Sequence, residues 1–245
     1  MKKKFAFVIA GGSRGLGKEL ALEAFKEGFP VALIGRNEED LAKAKSDIKI
    51  TVKNSDQNIS THAVDLVDKD MVEKAFQEIQ KIHGEVQVLV NNAGTWTGGK
   101  LIEGLSRNDV QTSFNLNFFS AFNATKAALN LRTADTSREF SIINIGATSS
   151  LQGWDGVASF CLAKGALRSF SQSLAREMGP KGIHVAHLII DGLIDNERTR
   201  KLNPNTPPEK FINMHSIAKT ILHVALQEKT CWTFEWDIRP YNESW

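Results

Sequence analysis

Short, continuously apolar runs alternate along this chain with longer stretches in which apolar residues recur at helical spacing. Residues 5–10 are apolar throughout, as a parallel strand buried on both faces should be. They lead into Gly11-Gly12-Ser13-Arg14-Gly15-Leu16-Gly17, then into a helical pattern through Leu20, Ala21, Ala24 and Phe25. Residues 31–35 read as a second strand ended by Arg36, and a charged helix follows to about residue 49. Further strands are expected at 60–64, 86–90, 140–145 and 183–190, and helices at 70–83, 112–131 and 157–178. Gly179-Pro180 stops the last of these helices. Residues 53–58, 132–139 and 191–208 read as polar loops, and 146–156 as a segment of small residues. Ser216 is expected to cap a helix to about residue 228, and residues 232–238 alternate like an edge strand with one apolar face. The alternation predicts an α/β fold: a doubly wound parallel sheet of about seven strands, with helices on both faces, in one domain over 1–245.

Composition narrows the function classes. A chain of 245 residues with 42% hydrophobic content can bury a full core. Its charges are interspersed and sum to +2, so there is no basic field for nucleic acid. No run approaches the length needed to cross a bilayer, so no membrane role is expected. Lys2-Lys3-Lys4 before an apolar run imitates an export signal, but the run is short and ends in glycines. Cys161 and Cys231 are too few for a disulfide framework, and neither they nor the six His have metal-ligand spacing. A cytoplasmic protein without a metal site is expected.

The glycine turn is the first candidate for chemistry. Glycines between a strand and a helix let the backbone approach a phosphate and leave helix N–H groups aimed at it. Residues 12–18 also fit the opening of a triphosphate-binding loop, but the next residue is Glu19 where a metal-binding hydroxyl is needed. A carboxylate there would repel a triphosphate. Arg36 carries the cofactor choice. An acid at the end of the second strand would bond a ribose 2′-hydroxyl, whereas Arg36 with Arg14 suits a 2′-phosphate. NADP(H) is therefore expected in preference to NAD(H), against the simpler reading that Arg36 is merely solvated.

With Asn91-Asn92-Ala93-Gly94 after the fourth strand and Asn117 in the following helix, the whole chain resembles the short-chain dehydrogenases/reductases. The resemblance implies a Rossmann-type fold and hydride transfer between a nicotinamide cofactor and a carbonyl or alcohol. It implies cofactor contacts at Gly11, Ser13, Arg14, Gly15, Leu16, Gly17, Arg36, Asp65, Leu66, Asn92, Ala93, Gly94, Lys164, Gly192 and Ile194. Family members are usually dimers or tetramers, so a homodimer or homotetramer is expected.

The family runs its chemistry on an Asn-Ser-Tyr-Lys set, and this chain keeps half of it. Asn117 and Lys164 match, but the Tyr position is Phe160 and the Ser position, thirteen residues earlier, is Ala147. The Pro-Gly expected after the sixth strand is Asp191-Gly192, and the lone tyrosine, Tyr241, lies near the end of the chain. Phe has no titratable group and cannot serve as acid or base. Ser149 is a candidate to bond a carbonyl, and Asp191 a candidate acid, although it also suits a turn before Gly192. Ser159 is expected to point away from the site, and Cys161 to pack as a small buried residue. Three readings stay open: an oxidoreductase with a modified site, a catalytically silent NADP(H)-binding sensor or partner protein, and a non-redox enzyme on the same scaffold.

Overall fold

A computed structural model describes residues 5–52, 58–132 and 139–243. Most of the two expected loops at 53–58 and 132–139, and Trp245, lie outside the described residues.

Seven strands form one parallel sheet: β1 (Ala6–Ala10), β2 (Val31–Gly35), β3 (Ile59–Ala63), β4 (Val86–Asn91), β5 (Phe140–Ala147), β6 (Ile183–Ile190) and, after two short strands, β9 (Glu235–Ile238). Their order is β3-β2-β1-β4-β5-β6-β9. The chain winds outward in one direction from β1 and in the other from β4. That reversal opens a crevice at the carboxyl ends of these two strands, where sheets of this kind bind ligands.

Both faces of the sheet are covered, which is why β1 and β2 read as unbroken apolar runs and the other central strands as mostly apolar ones. On β1, Phe7 and Ile9 point into one core with α1 (Gly15–Lys26), α2 (Glu38–Thr51) and α8 (Met214–Ala225). Ala6, Val8 and Ala10 point into the other, with α3 (Lys69–His83), α5 (Ser120–Asn130) and α6 (Ala158–Met178). Phe7, Phe25, Phe29 and Phe76 are fully buried, and each such side chain stabilises the fold by about 1.5–3 kcal/mol.

Several expectations need correction. The helix expected at 112–131 begins earlier, with α4 (Arg107–Phe114), because Ser106 and Asp109 cap each other reciprocally. Its first turns are polar and bury only Ser113, so apolar periodicity had nothing to detect. Between α4 and α5 the helix widens into a π turn at Asn115–Phe119. The expected polar loop at 191–208 holds β7 (Leu193–Ile194), paired with β8 (Phe211–Ile212), and α7 (Glu197–Leu202) capped by Asn196. The cap of α8 is Asn213, whose side chain accepts from the Ser216 N–H, so Ser216 lies inside the helix. The last strand begins only at Glu235, because Trp232 stacks flat on His184 at 5.1 Å and Thr233 is tied to Gln227.

Candidate functional site

The glycine turn packs where the crevice opens. Gly11 has φ +90°, and a Cβ on it would meet Ala93 N at 2.7 Å; a Cβ on Gly17 would meet Gly11 O at 2.0 Å. Only glycine fits either place. Asn92 Nδ2 donates to Gly11 O at 2.8 Å, joining the turn to the loop after β4. No acid stands in the first turn of α1 and the Arg14 side chain makes no cap bond, so the positive end of the helix is left for an anion.

A groove of ≈ 260 Å³ runs from this turn. Gly11, Ser13, Arg14, Arg36, Asp65, Leu66, Asn92, Ala93 and Gly94, named from the sequence as cofactor contacts, line it. Gly15, Leu16, Gly17, Lys164, Gly192 and Ile194 are not among its lining residues; Leu16 and Gly17 are buried in the packing of α1. Asn37, Asp40, Thr95, Leu116 and Ser120 line it as well and were missed. Exposed Arg14 and Arg36 share one end of the groove with Asp40, a carboxylate that partly offsets their charge.

At the other end two helices converge on Gly94. A Cβ there would lie 2.9 Å from Asn117 Oδ1 and 3.5 Å from Lys164 Nζ. Asn117 sits at the centre of the π turn, fully buried; its Oδ1 accepts the Thr95 N–H at 2.9 Å and its Nδ2 donates to Ser113 O at 3.2 Å. Single π turns often mark functional positions, and here the extra residue aims Asn117 at the loop after β4. Lys164 Nζ donates to Ile145 O at 2.8 Å, and burial lowers its pKa to about 8.

Phe160 stands one helical turn before Lys164, and Lys164 Nζ lies 5.8 Å from its ring centroid. On its other flank Trp96 packs at 5.2 Å, with the two rings tilted by 54°. Sequence reasoning missed Trp96, although it follows Asn92-Ala93-Gly94-Thr95 directly. Ser149 is buried in the turn Thr148–Ser150. Thr148 donates a short hydrogen bond to Asp191, which also faces the Arg239 guanidinium at 3.1 Å. Asp191 therefore belongs to a hydroxyl–carboxylate–guanidinium cluster at the ends of β5, β6 and β9. Ser159 points away from the site and donates to Thr97 O at 2.7 Å. Gly192 has φ +138° and abuts Pro240 and Ile212, while Ile194 pairs with Ile212 in the small sheet. Tyr241 is 91% exposed.

The family pattern described as short chain dehydrogenase matches residues 5–207. The chain belongs to the short-chain dehydrogenase family. A 3-oxoacyl-[acyl-carrier-protein] reductase, FabG, of Chlamydia muridarum is 31% identical over 204 residues, 83% of this chain and 79% of that one. A short-chain dehydrogenase from Rhodopseudomonas palustris superposes with a TM-score of 0.81 at 28% identity, over 98% of this chain and 100% of its own. ElxO carrying a Tyr→Phe substitution, solved with NADPH bound, has a TM-score of 0.84 at 25% identity, over 96% of this chain and 97% of that one.

Beneath the site, the chain carries a polar row, largely buried, that its sequence did not announce. Asn91, Asn144, His187 and Glu235 are register partners across β4, β5, β6 and β9. Asn91 Nδ2 donates to Asn144 Oδ1 at 2.8 Å and to Thr125 Oγ1 at 3.0 Å, and Asn144 Nδ2 donates to Ser171 Oγ at 2.8 Å. Ser171 gives its own proton to Leu167 O, so its contact with His187 Nδ1 at 3.4 Å takes a proton from the imidazole. His187 Nε2 lies under Gly146, where a Cβ would come within 2.3 Å of it. Burial first, and then the Lys164 charge, lower the His187 pKa to about 4, so the ring is neutral near pH 7. The available signal was a polar residue inside a mostly apolar strand run, Asn144 in β5 and His187 in β6.

Elsewhere, His215 on α8 meets Glu19 and Glu23 of α1 at 3.1 and 3.3 Å. Lys26 already pairs with Glu23 at 2.6 Å, so the cluster reads as a polar contact joining α1 and α8. Among the described residues no helix is long and apolar enough to cross a membrane.

Proposed function

We propose that this chain is an NADP(H)-dependent oxidoreductase acting on a carbonyl or alcohol, as one domain over 1–245, with an active site that lacks the family's Tyr and Ser. The convergence of Asn117 and Lys164 on Gly94, at the end of a groove whose other end holds Arg14 and Arg36, carries this reading. The donors present suit the cofactor. Arg14 and Arg36 would meet the 2′-phosphate, the first turn of α1 the diphosphate, and Lys164 the ribose beside the nicotinamide. When bound, the nicotinamide supplies or accepts the hydride.

The chain's own residues then hold and orient. Asn117 locks the loop after β4 through Thr95, and Lys164 presents a cation beside that loop. Reduction of a ketone consumes one hydride from the cofactor and one proton at oxygen. Phe160 and Ala147 have no proton to give, and Asp191 is engaged by Thr148 and Arg239, so that proton comes from Ser149 or water. Losing general acid help slows such a step by about 10²–10⁴-fold. Steady-state oxidation of NADPH over a varied carbonyl panel tests the proposal, and turnover of any member supports it.

The absence of titratable groups at 160 and 147 favours a second reading, an NADP(H)-binding sensor or partner protein without turnover. Tight NADPH binding with no oxidation on any substrate would favour it. Both readings place the chain in the cytoplasm as a homodimer or homotetramer. Phe118 contacts Phe170 at 5.8 Å and Phe122 contacts Phe170 at 5.6 Å, while Phe119 stays 37% exposed on the same pair of long helices. Light scattering would report the oligomeric state.

A further inference from the structure

We propose that Trp96 is a specificity-determining residue, a fixed platform on which a flat aromatic group of the substrate stacks. The inference rests on the oxidoreductase reading and adds a substrate class to it: neutral carbonyl compounds, or their alcohols, that carry an aryl group.

The backbone around Trp96 is held on both sides. Thr95 N–H is bound by Asn117 Oδ1, Thr97 Oγ1 meets Ser113 Oγ at 2.6 Å, and Thr97 O accepts from Ser159. The same helices carry Asn117 and Phe160, so the site's own scaffold positions the indole. The ring is confined as well. Phe160 packs against it at 5.2 Å, and a Cβ on Gly98 would come within 2.5 Å of it. Only glycine at 98 leaves the indole this place.

Despite that confinement, Trp96 is 57% exposed. A large apolar ring packed against Phe160 on one side and open to water on the other is stabilised when a second ring covers it. Its position makes it part of the site. The Phe160 ring neighbours both Lys164 Nζ, at 5.8 Å, and Trp96, at 5.2 Å, and Trp96 follows the groove-lining Thr95 directly. A group reacting beside Lys164 and Gly94 therefore has an aromatic pair as a neighbour, and neither ring carries a hydroxyl. The N–H groups of Gly99 and Lys100 donate to Gly156 O, which draws the segment bearing exposed Leu151 and Trp154 beside this loop. The Lys100 ammonium is already paired with Asp109 at 2.8 Å, so this rim offers a flat apolar partner more than an acidic one.

The test uses the full chain loaded with cofactor and two neutral probes, acetophenone and a linear methyl ketone of equal carbon number. Calorimetry measures their binding to the NADP⁺-loaded protein, and NADPH oxidation measures kcat/KM. Acetophenone is expected to be preferred, and Trp96→Ala is expected to lower the aryl-to-linear ratio by about ten-fold. NADPH affinity should be unchanged, and Trp96→Phe should restore most of the ratio. Turnover of ketones with no aryl preference, or a ratio insensitive to Trp96→Ala, overturns the platform and leaves the oxidoreductase reading standing. Acetophenone binding that depends on Trp96 without any turnover does the reverse. If neither ketone binds or reacts, the platform falls, and the oxidoreductase reading rests on the wider carbonyl panel.

Discussion

Lys164 Nζ lies 5.8 Å from the centre of the Phe160 ring, and its hydrogen bond goes to the carbonyl of Ile145 at 2.8 Å. The lysine is thus held by the backbone of β5, and its place does not depend on a phenol at 160. The placement of Lys164 and the identity of residue 160 are physically separable.

If the rest of the pocket has the family's shape, restoring both hydroxyls restores the proton path. Phe160→Tyr combined with Ala147→Ser is expected to raise NADPH-dependent carbonyl reduction by about 10²–10⁴-fold. Steady-state kinetics on the same ketones before and after the change measures it. An unchanged rate would mean that the pocket has diverged beyond the two groups.

Lys164 should make cofactor binding pH-dependent. Its pKa is lowered to about 8, so the ammonium present near pH 7 is lost as pH rises through 8. NADPH affinity is expected to fall across that interval, and Lys164→Met should flatten the profile at a weaker affinity. Fluorescence titration of NADPH between pH 6.5 and about 9 reads both curves.

Arg36 should decide between the two nicotinamide dinucleotides. Replacing a charge-assisted contact to phosphate with a repelling carboxylate removes about 1.5–3 kcal/mol, roughly 10–100-fold in affinity. Arg36→Asp is expected to weaken NADPH binding by that factor while sparing NADH. Wild-type protein that binds NADH more tightly than NADPH would refute the cofactor assignment.

Gly146 and His187 should be strongly coupled. Gly146→Ala puts a methyl group 2.3 Å from His187 Nε2, and such overpacking costs about 1–3 kcal/mol. Adding His187→Ala should recover part of that loss, giving a coupling of about 1 kcal/mol or more in a denaturation cycle. Strict additivity would show that the strand relaxes instead.

Acid should destabilise the fold through its buried histidines. His83 bonds Ser60 Oγ at 2.8 Å, Ser60 bonds His62 at 2.9 Å, and burial lowers the His83 pKa to about 4, as it does for His187. Above the ordinary histidine value of 6.5 both folded and unfolded chains are neutral at these rings, so the full stability is present. Below it the unfolded chain takes up protons that the folded chain refuses until about pH 4. The melting temperature is expected to drop by about 5–10 °C over that window, and less in His83→Gln.

The arrangement of elements was legible because its signals are local. A strand buried on both faces is mostly apolar, as residues 5–10 are throughout and 183–190 are apart from His184 and His187, and the tight turn after β1 must spend glycines, as Gly11 and Gly17 show. Asn117 and Lys164 were legible through their spacing from recognisable motifs. Polar helical turns escaped: α4 starts with Ser106 and Asp109 capping one another, and α7 hides in a charged stretch, because their stability comes from caps and tertiary contacts and leaves no apolar period.

What the sequence by itself determined is the alternation of the main strands and helices along the chain, the glycine-rich turn with arginines at 14 and 36, and the absence of a titratable group at residues 147 and 160. Those follow from residue type and short-range spacing. Only the tertiary structure decided which distant groups meet. It set Asn117 and Lys164 on either side of Gly94, tied Asp191 to Thr148 and Arg239, aligned Asn91 with Asn144 and His187, and laid Trp96 against Phe160. The reason is physical: strand register and helix packing bring side chains tens of residues apart to within hydrogen-bonding distance, and no local pattern encodes that juxtaposition.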